Sequence, residues 1–351
     1  MNKPDGLSIF NDDCGKILSD GSIAPDSIDA VVTDPPYGIK FFNQKWDYEI
    51  PSVEIFKKIL NVIKPGGTIL CFASPHTQHR MAVNIEDAGF ELRDCLMWLY
   101  GNGLPKSQSL PDLIRKSINK DQIPPKELDR IIKAFDGYRT NALKPAYEPI
   151  IMAMKPLDGN YANNAMVHKI SGLNIDACRL ESKGKKWKTP RGGIWKTDKN
   201  AKSILMDNTV GRFPANVIYE DNDDVKESFL KSIDPSMAVH EKNLITRIFY
   251  CAKVKGKNKD DDDNDHPTIK PLPLMKYLCR LVKSPSDCII LDPFMGSGST
   301  GVACIQEGIS FVGIEREQEY FEIAKRRLFS AKETQEAKDK IKSNFLEWAK
   351  E

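Results

Sequence analysis

Near the end of the chain a strand, a glycine-rich loop and a helix follow one another directly, and this unit limits the available folds. The apolar segment Cys288 to Leu291 runs into Asp292-Pro293-Phe294-Met295-Gly296-Ser297-Gly298-Ser299-Thr300-Gly301, from which a helix is predicted to about Glu307. A strand at Phe311 to Ile314 and a charged helix follow. About fifty residues remain after the loop, too few to complete a parallel sheet. The missing strands must therefore come from the N-terminal half.

The first hundred residues have the required alternation of strands and helices. Strands are predicted at residues 7–10, 29–33, 68–73 and 91–100. Apolar residues at helical spacing predict helices at residues 53–63 and 77–88, the first of them ended by Lys64-Pro65-Gly66-Gly67. Such alternation is typical of an α/β fold, in which helices cover a parallel sheet and ligands bind at the carboxyl ends of its strands.

The predicted strand at residues 29–33 ends in Asp34-Pro35-Pro36-Tyr37, which suits a planar group with an exocyclic amino group. Two consecutive prolines remove two backbone donors and keep Asp34 out of the helical conformation, while their carbonyls can still accept. Asp34 can accept one amino hydrogen and the Pro35 carbonyl the other, and the Tyr37 ring can stack on a nucleobase. A strand-ending turn with Tyr37 packed in the core is the alternative.

The composition excludes a wide field of positive charge. The 51 Lys and Arg residues nearly balance 49 Asp and Glu residues, so contact with nucleic acid has to come from local clusters. The eight cysteines include no Cys-x-x-Cys pair, which favours buried, reduced thiols over a disulfide framework or a zinc site, and no metal is predicted. No segment approaches the ~18 apolar residues that cross a bilayer. We expect a cytoplasmic protein without a membrane partner.

A basic, tryptophan-containing segment in the middle of the chain is a candidate DNA contact. Eight Lys and Arg residues lie between Ser182 and Lys202, with two tryptophans among them. Basic residues with interleaved aromatic rings suit a phosphate backbone with bases nearby. A solvated loop with two docked tryptophans is the alternative. The candidate DNA-binding residues are Lys185, Lys186, Trp187, Lys188, Arg191 and Trp195.

The glycine loop has two interpretations. Gly296-x-Gly298-x-x-Gly301, with Glu315 after the next strand, matches the dinucleotide fingerprint, so an NAD-dependent dehydrogenase is one hypothesis. Too few strands follow the loop for that fold. The glycines can instead let the backbone approach the methionine part of S-adenosylmethionine, while Glu315 binds the ribose hydroxyls. Together with the amine-binding corner at residues 34–37, this predicts methyl transfer to an amino nitrogen.

These paired motifs resemble those of the β-class amino-methylating DNA methyltransferases, in which DPPY precedes the target-recognition region and FxGxG comes last. The chain is most similar to the phage- and prophage-borne adenine-N6 methylases, with which it shares AVNIEDAGFELRD, LKPAYEPI, GRFPANVI, HPTIKPLPLM and LDPFMGSGSTG. The resemblance implies an α/β fold of the circularly permuted, Rossmann-like class I S-adenosylmethionine-dependent methyltransferase type. Residues 1–104 and 247–351, with a strand near 148–154, would form the catalytic domain, and residues 105–246 an inserted target-recognition region.

The same resemblance implies roles for individual residues. Asp34, Pro35, Pro36 and Tyr37 would hold the flipped base and form the catalytic set. Phe294, Gly296, Gly298 and Glu315 would hold the methionine and ribose, Asp13 and Cys14 would meet the adenine ring, and Thr268 and Lys270 would reach the cofactor's carboxylate. The predicted cofactor-binding residues are thus Asp13, Cys14, Asp34, Thr268, Lys270, Asp292, Phe294, Gly296, Gly298 and Glu315.

The activity that the resemblance implies is methyl transfer from S-adenosylmethionine to N6 of a flipped adenine in double-stranded DNA, with high or low site specificity. Cytosine N4 is an alternative target because it needs the same corner. A catalytically silent DNA-binding module is the non-enzyme alternative, and an oxidoreductase the more distant one. A homodimer and a restriction endonuclease partner both stay open, and the resemblance points to a bacterial host cell and is compatible with a phage or prophage gene.

Overall fold

The computed structural model describes residues 6–39, 45–100, 105–180, 186–189, 204–207, 211–220, 250–252 and 269–348. The strands in these residues are β1 Leu7–Phe10, β2 Ile28–Thr33, β3 Ile63–Phe72, β4 Glu91–Leu99, β5 Tyr147–Met154, β6 Lys186–Thr189, β7 Ile204–Asp207, β8 Val217–Glu220, β9 Tyr250–Ala252, β10 Ile289–Asp292 and β11 Ser310–Ile314. The α-helices are α1 Cys14–Ile17, α2 Val53–Val62, α3 Gln78–Asp87, α4 Leu110–Lys116, α5 Pro125–Ala134, α6 Tyr161–His168, α7 Leu272–Val282, α8 Ser299–Gln306 and α9 Gln318–Trp348.

Nine of the described strands form one sheet in the order β1-β11-β10-β2-β3-β5-β4-β8-β9. Strands β1, β11, β10, β2 and β3 are parallel to one another, and β5 is antiparallel to β3. The C-terminal strands β10 and β11 lie between the N-terminal strands β1 and β2. This order confirms the prediction that both ends of the chain build one sheet, and with it the circularly permuted class I methyltransferase fold.

Strand β3 begins at Ile63, although the sequence predicted a strand from Thr68. Ile63 pairs with Ile28 across an irregularity in the register of β2 and β3. The backbone N–H of Gly66, which has a φ of 75°, donates to the Lys155 carbonyl at 3.1 Å. Helix α2 thus ends at Val62, within a residue of the predicted end, and the Lys64-Pro65-Gly66-Gly67 segment already belongs to β3.

The sheet is buried on both faces. Val31, Ile69 and Leu291 belong to one hydrophobic cluster together with residues of α1, α2 and α3. Their chain neighbours Val32 and Leu70 are also fully buried, and because side chains alternate along a strand they point to the opposite face. On the C-terminal part of the chain, α7 contacts β2 and α8, and α8 contacts β10 and β11.

Helix α6 lies in a region where the sequence predicted little regular structure. Its N-cap Asn160 accepts from the backbone N–H of Asn163. Asn164, which is completely buried, donates to the carbonyls of Pro65 and Ile170 at 2.8 and 2.7 Å and accepts from the Asp158 backbone N–H at 3.0 Å. Polar contacts with other segments therefore stabilise this helix. Such contacts do not require apolar residues at helical spacing, so its sequence has no hydrophobic periodicity.

The chain divides into two compact units, one formed by Met1–Trp98 and Glu148–Glu351 and the other by Leu99–Tyr147. We predicted an insertion at residues 105–246, with the strand near residues 148–154 assigned to the catalytic domain; the first unit contains that strand, β5, and the described residues after it. In the second unit α4 and α5 contact each other, and Ser109 forms an isolated bridge with Arg139. The role of residues 105–246 in target recognition stays a prediction.

Three further properties concern the described residues alone. None of their helices combines the length and the apolar character needed to cross a membrane. No group of three or more His, Cys, Asp or Glu residues among them is placed to hold a metal ion. The seven cysteines whose side chains are described are free and six of them are buried, in agreement with the predicted buried thiols.

Candidate active site

The corner after β2 is held in place by two side chains from other segments. The Asp47 carboxylate accepts from the backbone N–H groups of Tyr37, at 2.6 Å, and Gly38, at 3.0 Å. The Thr77 hydroxyl donates to the Tyr37 carbonyl at 2.8 Å. Asp47 is buried, so these bonds are shielded from competing water. Both backbone polar groups of Tyr37 are thus satisfied, and the corner has one defined conformation.

Four side chains form a polar network at this corner. The Tyr37 hydroxyl donates to Asp34 Oδ1 at 2.5 Å and lies 3.1 Å from Glu148 Oε2. The Lys270 ammonium donates to Asp34 Oδ2 at 2.6 Å and lies 3.2 Å from Glu148 Oε2. Lys270 comes from the segment before α7 and Glu148 from the start of β5, so the network joins distant parts of the chain.

The environment shifts the pKa values of two members of this network. Burial and the charges of Asp34 and Glu148 raise the pKa of Tyr37 well above its usual value, so its hydroxyl stays protonated. Burial by itself lowers the pKa of Lys270, but the two carboxylates outweigh it and raise the pKa. Lys270 is therefore a charged ammonium in its 8% exposed position.

The Asp292 carboxylate at the end of β10 organises the glycine loop. Its Oδ1 accepts from the Thr33 hydroxyl at 2.7 Å and from the Phe294 backbone N–H at 3.1 Å, and its Oδ2 accepts from the Thr300 hydroxyl at 2.6 Å. Burial raises the pKa of Asp292 to about 6 although these bonds oppose the shift. Asp292 thus ties β10 to β2 and to α8.

The two loop glycines have different surroundings. The Gly296 backbone N–H donates to Glu315 Oε2 at 2.8 Å, and burial raises the pKa of Glu315. Gly298 has a φ of 82°, and a Cβ there would lie 3.1 Å from the Ala324 Cβ on α9. Gly298 therefore allows the left-handed turn before α8 and the close approach of α9.

The glycine loop and the Asp34 corner open onto one cavity, which encloses about 910 Å³ including solvent at its mouth. Pro36 lines it, and Pro35 is buried. Gly298 and Tyr37 are not among its lining residues. The predicted cofactor-binding residues that line the cavity are Asp13, Cys14, Asp34, Lys270, Asp292, Phe294, Gly296 and Glu315.

Asp13 and Cys14 form the part of the cavity wall at the end of β1. The Asp13 side chain caps α1 by accepting from the Lys16 backbone N–H at 3.3 Å. Burial raises the pKa of the Cys14 thiol to about 12, and the adjacent Asp13 charge contributes. Cys14 is thus a neutral, apolar contact surface.

Several residues of the site were not predicted from the sequence. Trp46 and Tyr320 line the cavity, Asp47 fixes the corner and Glu148 joins its polar network. The signal for Glu148 was its position at the start of the apolar strand β5. Because β5 is antiparallel to β3, with Phe72 opposite Ile150, its first residues lie at the carboxyl end of β3.

Other predicted residues lie outside the part of the chain with described side chains. Thr268, Lys185, Arg191 and Trp195 fall outside the described residues. Lys186, Trp187 and Lys188 belong to β6, which pairs with β7 in an antiparallel ribbon, and only their backbone is described. Their binding of the cofactor or of DNA stays a prediction.

The chain is similar to two curated methyltransferases. Type II methyltransferase M.HindIII of Haemophilus influenzae is 24% identical over 274 residues, which cover 76% of this chain and 64% of that protein. DNA adenine methyltransferase YhdJ of Escherichia coli is 39% identical over 90 residues, 24% of this chain and 30% of that protein. The matched part is thus under two thirds of the length of either relative.

Among solved structures, the complex of M1.HpyAVI with SAM covers 92% of this chain and 100% of its own, with 20% identity and a TM-score of 0.46. The sequence model of the N6/N4 family, described as DNA methylase, matches residues 28–326. This match includes the Asp34 corner, Glu148, Lys270, the glycine loop and Glu315. The chain therefore belongs to the N6/N4 DNA methylase family.

Proposed function

We propose that this chain transfers a methyl group from S-adenosylmethionine to N6 of adenine in DNA. The observation that carries the proposal is that Asp34 and the glycine loop line the same cavity. One hydrogen bond links the two parts directly, because the Thr33 hydroxyl, next to Asp34 in the chain, donates to Asp292 at the start of the glycine loop. An acceptor for an amino group and a site for a methyl donor are therefore side by side, as methyl transfer to nitrogen requires.

S-adenosylmethionine is the methyl donor, and the cavity has groups that suit it. Each carboxylate oxygen of Glu315 accepts one backbone N–H, from Gly296 and from Glu317, and has lone pairs left for ribose hydroxyls. Phe294 and the neutral Cys14 supply apolar wall.

The residues of the corner would position the target amino group. When bound, S-adenosylmethionine supplies an electrophilic methyl group. Asp34 accepts one amino hydrogen and the Pro35 carbonyl the other, which draws the nitrogen lone pair out of conjugation with the ring. The Tyr37 ring stacks on the base. Because the amino group loses its proton during or after attack, no strong base is needed, and catalysis rests on positioning and electrostatics.

Two observations favour adenine over cytosine. The corner begins with Asp34 and not with serine, and the relative that is 39% identical over 90 residues is named a DNA adenine methyltransferase. Cytosine N4 presents the same amino group to the same acceptors, so it is the second candidate.

Binding of double-stranded DNA is part of the proposal. We assign the phosphate and base contacts outside the cavity to the basic segment with Lys185, Lys186, Lys188 and Arg191, and stacking on bases to Trp187 and Trp195. Positive and negative side chains nearly balance over the whole chain, so the contact with DNA would be local to this basic segment. Because it involves charged phosphates, it would weaken with added salt.

Transfer of tritium from labelled S-adenosylmethionine to DNA tests the function, and mass spectrometry of the digested product identifies the base. We expect N6-methyladenine. N4-methylcytosine would assign the enzyme to cytosine instead. If neither genomic DNA from several sources nor synthetic duplexes were labelled, the proposed function would be rejected. Sequencing the product at single-molecule resolution would also give the sequence context of each modified base.

A further inference from the structure

Glu148 has no role in the function proposed above, yet its carboxylate lies in the catalytic corner. Its Oε2 is 3.1 Å from the Tyr37 hydroxyl and 3.2 Å from the Lys270 ammonium. The Glu148 side chain is 21% exposed, close to the 20% of Asp34. It does not line the cavity, so it would act on the reaction through its neighbours.

Both carboxylate oxygens of Asp34 already have a strong donor. Oδ1 accepts from Tyr37 at 2.5 Å and Oδ2 from Lys270 at 2.6 Å. A target amino group that donates to Asp34 has to compete with these bonds. Glu148 lies within reach of both competing donors, so the Tyr37 hydroxyl and the Lys270 ammonium can turn to it without losing an acceptor.

The charges of the network also require a second carboxylate. In methyl transfer the nitrogen lone pair forms the new N–C bond, the C–S bond breaks with its electron pair going to sulfur, and a proton then leaves to water. Positive charge therefore passes to the amino nitrogen beside Asp34. One ammonium and two carboxylates give the corner a net charge of about −1. Without Glu148, Lys270 would neutralise Asp34 and remove that stabilisation.

The surroundings make these charges effective. Lys270 is 8% exposed, and its ammonium lies 5.0 Å from the centre of the Phe72 ring. Lys270 is largely shielded from water at this position, so its charge acts more strongly than at the surface. The pKa of Lys270 is raised by the two carboxylates, which keeps its positive charge in place.

We propose that Glu148 is a positioning residue for methyl transfer. It accepts hydrogen bonds from the Tyr37 hydroxyl and the Lys270 ammonium when Asp34 binds the amino group, and its negative charge keeps the net charge of the corner negative. This inference rests on the proposed function. It is specific to charge as well as to hydrogen bonding, so a variant that keeps the shape of Glu148 but not its charge is informative.

Glu148→Gln is that variant. We expect kcat at saturating cofactor to fall about 10- to 100-fold, because Lys270 then neutralises Asp34. The KM for S-adenosylmethionine should stay within about threefold, because Glu148 does not line the cavity. A wild-type kcat, or a change confined to the KM of the cofactor, would overturn the proposal. Glu54→Gln, at a position 71% exposed on α2, is the matched control.

A second variant separates charge from structure. In Glu148→Gln combined with Lys270→Met the corner again has a net charge of about −1, from Asp34 alone. Because Lys270 is also a predicted contact of the cofactor, kcat is measured at saturating cofactor, where it should exceed that of Glu148→Gln at least about fivefold, a gain that two merely structural defects would not produce. A double variant no faster than Glu148→Gln would overturn the charge argument. Circular dichroism and cofactor binding show whether each variant is folded.

The wild-type protein in the same assay distinguishes the two proposals. Wild-type turnover with a fully active Glu148→Gln variant would refute the role of Glu148 and leave the proposed function standing. A folded wild-type protein that transfers no methyl group to DNA would refute the proposed function and the role of Glu148 with it.

Discussion

Replacement of Asp34 by alanine tests the central feature of the site. Asp34→Ala removes the proposed acceptor for the target amino group and one partner each of Tyr37 and Lys270. Glu148 remains at 3.1 and 3.2 Å from these two groups, so neither is left without an acceptor. The fold should therefore persist, and the loss should fall on the chemical step.

The size of the loss follows from the number of bonds removed. Removal of one preorganised hydrogen-bonding group from a catalytic site typically costs about 10²- to 10³-fold in kcat, or about 2.7–4 kcal/mol. Asp34 also supplies negative charge beside the nitrogen that becomes positive, so we expect a loss at the upper end of this range or beyond it. Glu315 and Phe294, at the other part of the cavity, are unchanged, and cofactor affinity should stay within about threefold.

Single-turnover transfer of tritium from labelled S-adenosylmethionine to DNA measures the chemical step, and calorimetry measures cofactor binding. Asp34→Asn is a useful second variant because it keeps one oxygen acceptor, and it should retain more activity than Asp34→Ala. Methylation by Asp34→Ala at the wild-type rate would refute the assignment of Asp34. Loss of cofactor binding together with activity would show that the main role of Asp34 is in the cofactor-binding set, where the sequence also places it.

Three further predictions concern other parts of the site. Tyr37→Ala should weaken the flipped state of the base by about 1–3 kcal/mol, measured by 2-aminopurine fluorescence at the target position. Tyr37→Phe keeps the ring and should keep most of this stabilisation. Equal fluorescence signals from the two variants would contradict stacking. Gly298→Ala should lower the free energy of unfolding in urea by about 1–2 kcal/mol, and by more than Gly137→Ala does. Both glycines have a positive φ, but an added Cβ would meet Ala324 within 4 Å at position 298 and no atom at position 137. Burial raises the pKa of Asp292 to about 6 from 3.8, so the folded protein holds this proton more tightly than the unfolded chain, and the native state should lose up to about 3 kcal/mol as pH rises from about 4 to about 6. Asp292→Asn should not show this loss, and parallel pH profiles of the two proteins would refute the assignment.

Local patterns in the sequence were sufficient for the elements that build the cavity. The apolar strand before Asp292, the glycine loop and the helix after it were predicted within a residue or two, as was α2 with its apolar spacing. The strand of residues 29–33 and its Asp-Pro-Pro-Tyr corner were also predicted in place. These signals are strong because turns with glycine or proline and buried parallel strands have few alternative conformations.

Such local patterns do not predict contacts between residues that are distant in the sequence. Helix α6 depends on the buried Asn164, whose partners Pro65 and Ile170 come from different segments. The early start of β3 depends on the pairing of Ile63 with Ile28. From the sequence alone, a polar residue or a proline-glycine segment predicts a loop, because its hydrogen bonds can be made to water as well as to other parts of the protein.

The sequence by itself determined two local parts of the site, the Asp-Pro-Pro-Tyr corner and the glycine loop, because each is a contiguous run whose residues dictate the local backbone. Only the tertiary structure decided that Lys270 and Glu148 complete the corner, since β5 places Glu148 at the end of β3 and the segment before α7 places Lys270 beside Asp34. A carboxylate and an ammonium acquire such roles through burial and distance, and both depend on how the sheet brings remote segments together.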